Sequence, residues 1–360
     1  MSTDLFQPFT LGPITLANRT VMAPMTRSRA IGNVPNALMA EYYGQRAGAG
    51  LIVTEGVAPS PNGLGYPRIP GLFNAEQVSG WKLVTDAVHE KGGRVYVQLM
   101  HTGRIGHPDN LPAGARLVAP SAIAAKGEMY TDNAGNQAQP TPEAMTRYDV
   151  QAAVAEFVQS ARMAMEAGFD GVELHGANGY LIDQFLNPAS NQRSDAYGGS
   201  FEARNRFAVE VAAAVAEAIG ADRTGIRLSP YGVFNDQIIF DEIEVQYTAL
   251  ARELSALKLA YVHLVDHSAM GAPKPEASTV TAIREAFNGT LILSGGYDRD
   301  RAQADLDGGL GDLIAYGRPF LANPDFVARL EAGAELNPPD FGSFYTPGEK
   351  GYTDYPAMAG

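Results

Sequence analysis

Between Gly171 and Tyr180 the chain reads GVELHGANGY, and three side chains able to do chemistry fall close together: His175, Asn178 and Tyr180. An imidazole, a carboxamide and a phenol can all donate hydrogen bonds. The run ahead of them, Gly171-Val172-Glu173-Leu174, is short and β-rich, and Gly176 and Gly179 punctuate the stretch after it as turn formers. The three side chains are therefore expected to converge at the C-terminal end of a strand, where barrel enzymes keep their reacting groups. Taken singly, each reads as well as a satisfied structural residue. The cluster is more specific than its members.

Two later β-rich runs end in a different chemistry. Ser294-Gly295-Gly296 closes one and Tyr316-Gly317-Arg318 closes the next. Glycines let backbone N–H groups approach an oxyanion, and an arginine adds a charged fork, so the pair suits a phosphate. Alone, Gly-Gly is a turn; the Gly-Arg after the following run favours the phosphate. Thr26, Gln98 and Arg227 fall at or near other strand ends. Arg227 is the hardest to explain structurally, because a buried cation needs an anion or an electron-rich ligand. His101, His107 and Asp109 do not form a metal motif, since no HExxH or comparable spacing accompanies them, and no G-x-S-x-G elbow appears.

The elements that position these groups share one rhythm. β-rich runs at Thr20–Met22, Leu51–Thr54, Arg94–Leu99, Gly171–Leu174, Gly225–Leu228, Tyr261–Leu264, Leu291–Leu293 and Leu313–Ala315 are each followed by a helical pattern. In one helix Val154, Phe157, Ala161 and Ala164 share a face; in another Phe207, Val211, Val215 and Ala218 do. Eight such units predict a (β/α)8 barrel in one domain over 1–360. A doubly wound sheet is disfavoured because no G-x-G-x-x-G follows any strand. Gly12-Pro13, between Phe9-Thr10-Leu11 and Ile14-Thr15-Leu16, predicts a hairpin within residues 1–18 that plugs one end. The connection from Thr102 to Met145 is long and rich in Pro, Gly and Asn, and is expected to form a lid or rim over the barrel mouth.

Composition narrows the function classes. At 360 residues and 45% hydrophobic, the chain can bury a large core; a net charge of −13 argues against nucleic-acid or anionic-membrane partners and for a small-molecule substrate. No stretch approaches the roughly 18 apolar residues of a membrane span, and the opening MSTDLFQPFT has no apolar core of a signal peptide, so a cytoplasmic location is expected. The absence of cysteine excludes disulfides, iron–sulfur clusters, thiolate zinc sites and cysteine nucleophiles.

The stretch HGANGYLIDQFLNPASNQRSDAYGG resembles the Old Yellow Enzyme family of flavin-dependent ene-reductases. So do Met22-Ala23-Pro24-Met25-Thr26-Arg27, Gln98-Leu99-Met100-His101-Thr102-Gly103-Arg104, Gly317-Arg318-Pro319 and Gly351-Tyr352-Thr353-Asp354-Tyr355-Pro356. The resemblance implies an FMN-dependent oxidoreductase that takes reducing equivalents from NAD(P)H and reduces the C=C bond of activated alkenes such as enones, enals, maleimides and nitroalkenes. It implies that Gly295, Gly296, Gly317 and Arg318 hold the FMN phosphate, and that Gln98 and Arg227 bond the pyrimidine side of the ring. It also implies that Thr26 bonds the ring's O4, and that Pro24, Met25 and Ala58 touch the ring mainly through backbone. His175 and Asn178 would bond the substrate's activating oxygen, Tyr180 would protonate its α-carbon, and Tyr66 and Tyr352 would contact it. One departure stands out: Met100 replaces a Trp that many relatives carry, which is expected to loosen one wall of the pocket.

Two other readings compete. A flavin-free barrel lyase or isomerase would use the same phosphate loops for a phosphorylated substrate, and a barrel without turnover would only bind ligands. Neither the choice between NADH and NADPH nor the oligomeric state is readable from any motif.

Overall fold

The computed structural model describes residues 4–358. A hairpin of β1 (Phe9–Leu11) and β2 (Ile14–Leu16) comes first. Next are β3 (Thr20–Met22), α1 (Ala37–Gln45), β4 (Leu51–Val57), α2 (Ala75–His89) and β5 (Val95–Leu99). The long connection contributes β6 (Val118–Ala119), β7 (Glu128–Thr131), β8 (Gly135–Ala138) and β9 (Glu143–Ala144), and ends at α3 (Arg147–Glu166). After it come β10 (Gly171–Gly176), α4 (Leu181–Leu186), α5 (Phe201–Ile219), β11 (Thr224–Leu228), α6 (Ile243–Ala256) and β12 (Tyr261–Val265). The chain finishes with α7 (Ala277–Ala286), β13 (Thr290–Ser294), α8 (Arg299–Asp307), β14 (Leu313–Tyr316), α9 (Arg318–Ala322) and α10 (Phe326–Ala332). Strands β3, β4, β5, β10, β11, β12, β13 and β14 pair in parallel in that order, and β14 returns to β3 to close the ring. The fold is a (β/α)8 barrel, as the rhythm of the sequence predicts.

Side chains alternate along a strand, so every strand divides its residues between the barrel interior and the helices. Val97, Leu99, Val172, Leu174, Ile226, Leu228, Val262 and Leu264 face outward into one large apolar cluster with the helices. Their neighbours Gln98, Glu173, His175, Arg227 and His263 must therefore face inward. Lower in the barrel, Val21, Leu51, Tyr96, Tyr261 and Leu313 form a separate apolar cluster, and Leu11 and Leu16 of the hairpin pack into it. The hairpin thus closes the N-terminal end. The C-terminal end stays open above the polar layer.

Local sequence sets the helix starts. Asn36, Asn74, Ser200 and Asp298 accept from the third backbone N–H of α1, α2, α5 and α8, and Thr146 forms a capping box with Asp149 at α3. The run after α4 that carries the family resemblance is mostly scaffolding. Asn191 Nδ2 donates to Phe185 O and Tyr197 O at 2.7 Å, and Arg193 Nη1 donates to Pro120 O at 2.9 Å, which ties the long connection to the barrel. Within that connection, β7 and β8 form an antiparallel hairpin whose Met129 packs with Ala58, Met100 and Tyr180 at the barrel mouth.

Candidate active site

A cavity of about 350 Å³ opens over the ends of β3, β11, β12, β13 and β14, and its lining includes Pro24, Met25, Thr26, Asn178, Arg227, Gly295, Gly296, Gly317 and Arg318. The two phosphate candidates therefore share one cavity with four of the ring candidates, Pro24, Met25, Thr26 and Arg227, while Gln98 and Ala58 do not line it. Gly295 has a φ of 131° and Gly296 one of 62°; a Cβ on Gly295 would lie 2.2 Å from Asp266 O. Only glycine tolerates that backbone and that approach. Among the described residues, the N–H groups of Gly295, Gly296, Gly317 and Arg318 have no backbone acceptor, so they are available to an anion. Arg318 is exposed, with its guanidinium over the Phe341 ring.

Arg227 is 6% exposed, and its Nε has no partner in the protein. Strand register puts it between His175 and His263. A buried guanidinium with an unpartnered face toward a cavity fits the electron-rich pyrimidine edge of a flavin. Gln98 lies deeper, where its Nε2 donates to Glu173 Oε1 at 2.8 Å. Ala58 differs from expectation. It lines neither this cavity nor its neighbour, its N–H donates to Pro70 O and its carbonyl accepts from Leu72 N, so its backbone groups are already committed.

A second cavity, of about 740 Å³, is lined by Thr26, Tyr66, Tyr180, Tyr345 and the β7 residues Met129 and Tyr130. Thr26 and Tyr345 line both cavities and mark their junction. The Tyr180 hydroxyl donates to the Tyr66 hydroxyl at 3.1 Å, and the rings meet edge to face. Burial pushes the Tyr180 phenol above its ordinary range, so it stays protonated at neutral pH and remains an acid.

His175 belongs to β10 itself rather than to the turn after it. Its ring lies 4.9 Å from that of Tyr180. Ala177 N–H donates to His175 Nδ1 at 3.3 Å, which leaves the proton on Nε2. Burial, reinforced by the Arg227 charge, holds the imidazole well below its usual pKa, so it is a neutral donor. Asn178 is aimed by backbone geometry. Its φ is 61° and that of Gly179 is 76°, a left-handed pair that asparagine and glycine tolerate. Ser229 Oγ accepts from Asn178 N–H at 3.0 Å and Asp183 Oδ2 from Gly179 N–H at 2.8 Å, while Asn178 Oδ1 has no partner.

Two expected substrate contacts lie elsewhere. Tyr352 is fully buried, stacked on Tyr42 at 4.0 Å with Arg27 and Arg29 over its ring, and lines neither cavity. Arg27 Nη2 donates to Gly351 O at 2.6 Å and Arg29 Nη2 to Ser343 O at 2.8 Å. Tyr352 is thus part of a clamp on the C-terminal segment, and the residue this segment presents to both cavities is Tyr345. No periodicity or motif marks Tyr345. Met100 also lines neither cavity: it is buried with Ala58 and Tyr180, against Gly56, where a Cβ would lie 2.4 Å from its sulfur. It supports the wall from behind. His267, which lines the first cavity with an unpartnered Nδ1, carries no sequence signal either. His101 and His107 are held locally, by Gly103 N–H and Asp109 N–H, and among the described residues no acid and histidine cluster suits a metal.

A barrel whose mouth joins a glycine-lined anion cradle and a buried arginine to a tyrosine-walled cavity has the layout of a flavin-dependent oxidoreductase. Comparison with known proteins agrees. The family model of the NADH:flavin oxidoreductase / NADH oxidase family matches residues 4–337, and the chain belongs to that family. It is 43% identical over 360 residues to a probable flavin mononucleotide-dependent alkene reductase of Leishmania infantum, covering 98% of this chain and 97% of that one. Its fold matches morphinone reductase with a TM-score of 0.96 at 44% identity, covering 99% and 97% of the two chains. Morphinone reductase in complex with tetrahydroNAD matches with a TM-score of 0.94. An Old Yellow Enzyme homologue from Zymomonas mobilis matches with a TM-score of 0.95 at 38% identity, covering 99% and 100%. The protein is an FMN-dependent oxidoreductase of the Old Yellow Enzyme type with a nicotinamide reductant. Among the described residues no helix is long and apolar enough to cross a membrane.

Proposed function

We propose that the protein reduces the C=C bond of alkenes activated by a carbonyl or nitro group. The observation that carries this reading is the junction of the two cavities: Arg227 and the glycine cradle on one side, the Tyr180–Tyr66 pair on the other, Thr26 and Tyr345 between. Gly295, Gly296, Gly317 and Arg318 would hold the FMN phosphate, with Arg227, Gln98 and Thr26 at the ring. When bound, FMN supplies hydride transfer, from reduced nicotinamide in one half-reaction and to the β-carbon of the alkene in the other. His175 Nε2–H and the Asn178 amide donate to the activating oxygen, withdrawing electron density from the double bond. Tyr180 gives its phenolic proton to the α-carbon, so hydride and proton together add across the bond. Likeness to a probable alkene reductase and to morphinone reductase supports the same substrate class.

Anaerobic stopped-flow tests this directly. The purified protein is expected to be yellow, to bleach on addition of NADH or NADPH, and to recover its colour when cyclohexenone is added. A colourless protein that FMN cannot reconstitute would favour the phosphate-binding lyase reading; a flavin that bleaches but is not reoxidised by any enone, enal, maleimide or nitroalkene would refute the substrate class.

A further inference from the structure

The mechanism gives the buried carboxylate of Glu173 no task. Glu173 is fully buried on β10, faces the barrel interior, and stands one inward-facing position before His175, which pairs with the cavity-lining Arg227. Its Oε1 accepts from Gln98 Nε2 at 2.8 Å, and its Oε2 meets His263 Nδ1 at 2.9 Å. Register pairs Glu173 with Gln98 on one side and with Gly225 on the other. A Cβ on Gly225 would lie 2.4 Å from the Tyr261 ring, so this glycine makes room for that ring, and the carboxylate spans from β10 to His263 on β12. Burial alone would push this carboxyl up, yet His263, Arg227 and Gln98 outweigh it and hold it below its usual range. The same carboxylate favours the charged form of Arg227, which burial opposes.

Burying a carboxylate in a barrel costs several kcal/mol unless its partners are well placed, and an apolar residue would fill the same space without that cost. Two consequences of this placement bear on the ring site. First, Glu173 takes one of the two N–H donors of Gln98 and so fixes the plane of its carboxamide, leaving the carbonyl and the second N–H for a ligand. A carbonyl accepts, and the pyrimidine portion of oxidised flavin offers a ring N–H. Second, Glu173 is a buried negative charge that acts on the Arg227 guanidinium at the ring site. Reduction makes the ring more negative, so Arg227 favours it and Glu173 opposes it.

We propose that Glu173 is a positioning residue for the cofactor: it orients the Gln98 amide toward the ring and, by offsetting Arg227, lowers the reduction potential of the bound flavin. The inference rests on FMN occupying the first cavity. Its readout is the potential, not turnover, so it can fail while the functional reading stands.

The test uses the purified holoenzyme and the bound flavin's midpoint potential, measured by anaerobic dye equilibration. Glu173→Gln keeps the shape and removes the charge. It is expected to raise the affinity ratio of reduced over oxidised FMN about tenfold, an upward shift of about 30 mV for a two-electron couple. Glu173→Met removes the charge with an apolar side chain of similar length and is expected to shift the potential the same way, which keeps the test open if the amide variant does not fold. Glu173→Asp retains the charge and should remain near the wild-type potential. Potentials of both neutral variants equal to or below wild type would overturn the proposal, as would an equal rise in Glu173→Asp. A wild-type protein that never binds FMN would instead refute the assignment of the cavity.

Discussion

The two cavities that meet at Thr26 are built differently. The one that fits the cofactor is lined by strand residues, Arg227 on β11, Val265 on β12 and Ser294 on β13, and strand register pairs His263 with Arg227 and Gln98 with Glu173. The one proposed to take the alkene is walled by Tyr66, Tyr345 and β7, which stand on connections and on the C-terminal segment. The buried charge of Arg227 sits on the rigid side, whereas the charges of the other cavity, Arg68, Glu128 and Asp132, stand on connections. A cofactor common to a whole family rewards a fixed constellation, whereas substrate choice can vary with loops that leave the core untouched.

The sharpest way to separate the halves is Tyr180→Phe. It keeps the ring and removes the acid, so flavin reduction by nicotinamide should stay near normal while reoxidation by cyclohexenone slows by about 10²–10⁴-fold. Nitroalkenes should still accept hydride and release nitronate, because that product is stable without the proton. Equal slowing of both half-reactions would assign Tyr180 a packing role only.

Tyr352 and Tyr345 divide structure from contact within one segment. Tyr352→Ala empties a fully buried site between Tyr42 and two arginines and should cost about 3–5 kcal/mol of stability, read as a lowered Tm or denaturant midpoint. Tyr345 is 61% exposed, so Tyr345→Ala should leave the Tm nearly unchanged and raise the enone KM by about tenfold, the scale of one lost pocket contact. Reversed effects would return Tyr352 to the substrate.

Arg227→Met attacks the cofactor side. Removing a buried charged hydrogen-bonding group costs about 2–5 kcal/mol, so FMN should bind about 30-fold or more weakly, with a lower potential. Unchanged FMN affinity, measured by fluorescence titration of the apoprotein, would remove Arg227 from the ring.

Acidity probes the barrel mouth as a whole. Burial holds His101 and His267 down to about 3 and keeps His175 and His263 below the usual histidine range, whereas burial raises Glu55 and Asp183 to about 7. Below about pH 6.5 the unfolded chain therefore gains protons at histidines that the folded chain refuses. The two carboxyls act oppositely, because the folded state keeps protons that the unfolded chain releases. Burial also raises Glu156 and Glu253, but less far than Glu55 and Asp183, so the four histidines carry the larger proton difference and stability should fall from pH 7 to pH 5, by about 1.4 kcal/mol per net proton and pH unit. His101→Gln should flatten the slope; a Tm that rises on acidification would show that the carboxyls dominate.

The barrel was legible because it repeats: a β-rich run followed by a helical stripe recurs, and each strand's alternation already divides Val172 and Leu174 from Glu173 and His175. The glycines at 295, 296 and 317 were legible for the same local reason, since backbone that approaches an anion needs them. The contacts made across connections were not. Tyr352 sits in a recognisable motif yet is committed to a stack with Tyr42 and arginines from the β3 loop, while the less marked Tyr345 reaches both cavities. Met100 comes directly after Gln98 and Leu99 of β5, but its direction depends on the space that Gly56 leaves on β4. Residue type and spacing along the chain therefore determined the fold and marked the glycine cradle and Arg227 by themselves; the wall of the second cavity and the partners of Glu173 were decided only by tertiary structure, because they arise from side chains distant in sequence that meet through strand register and loop packing.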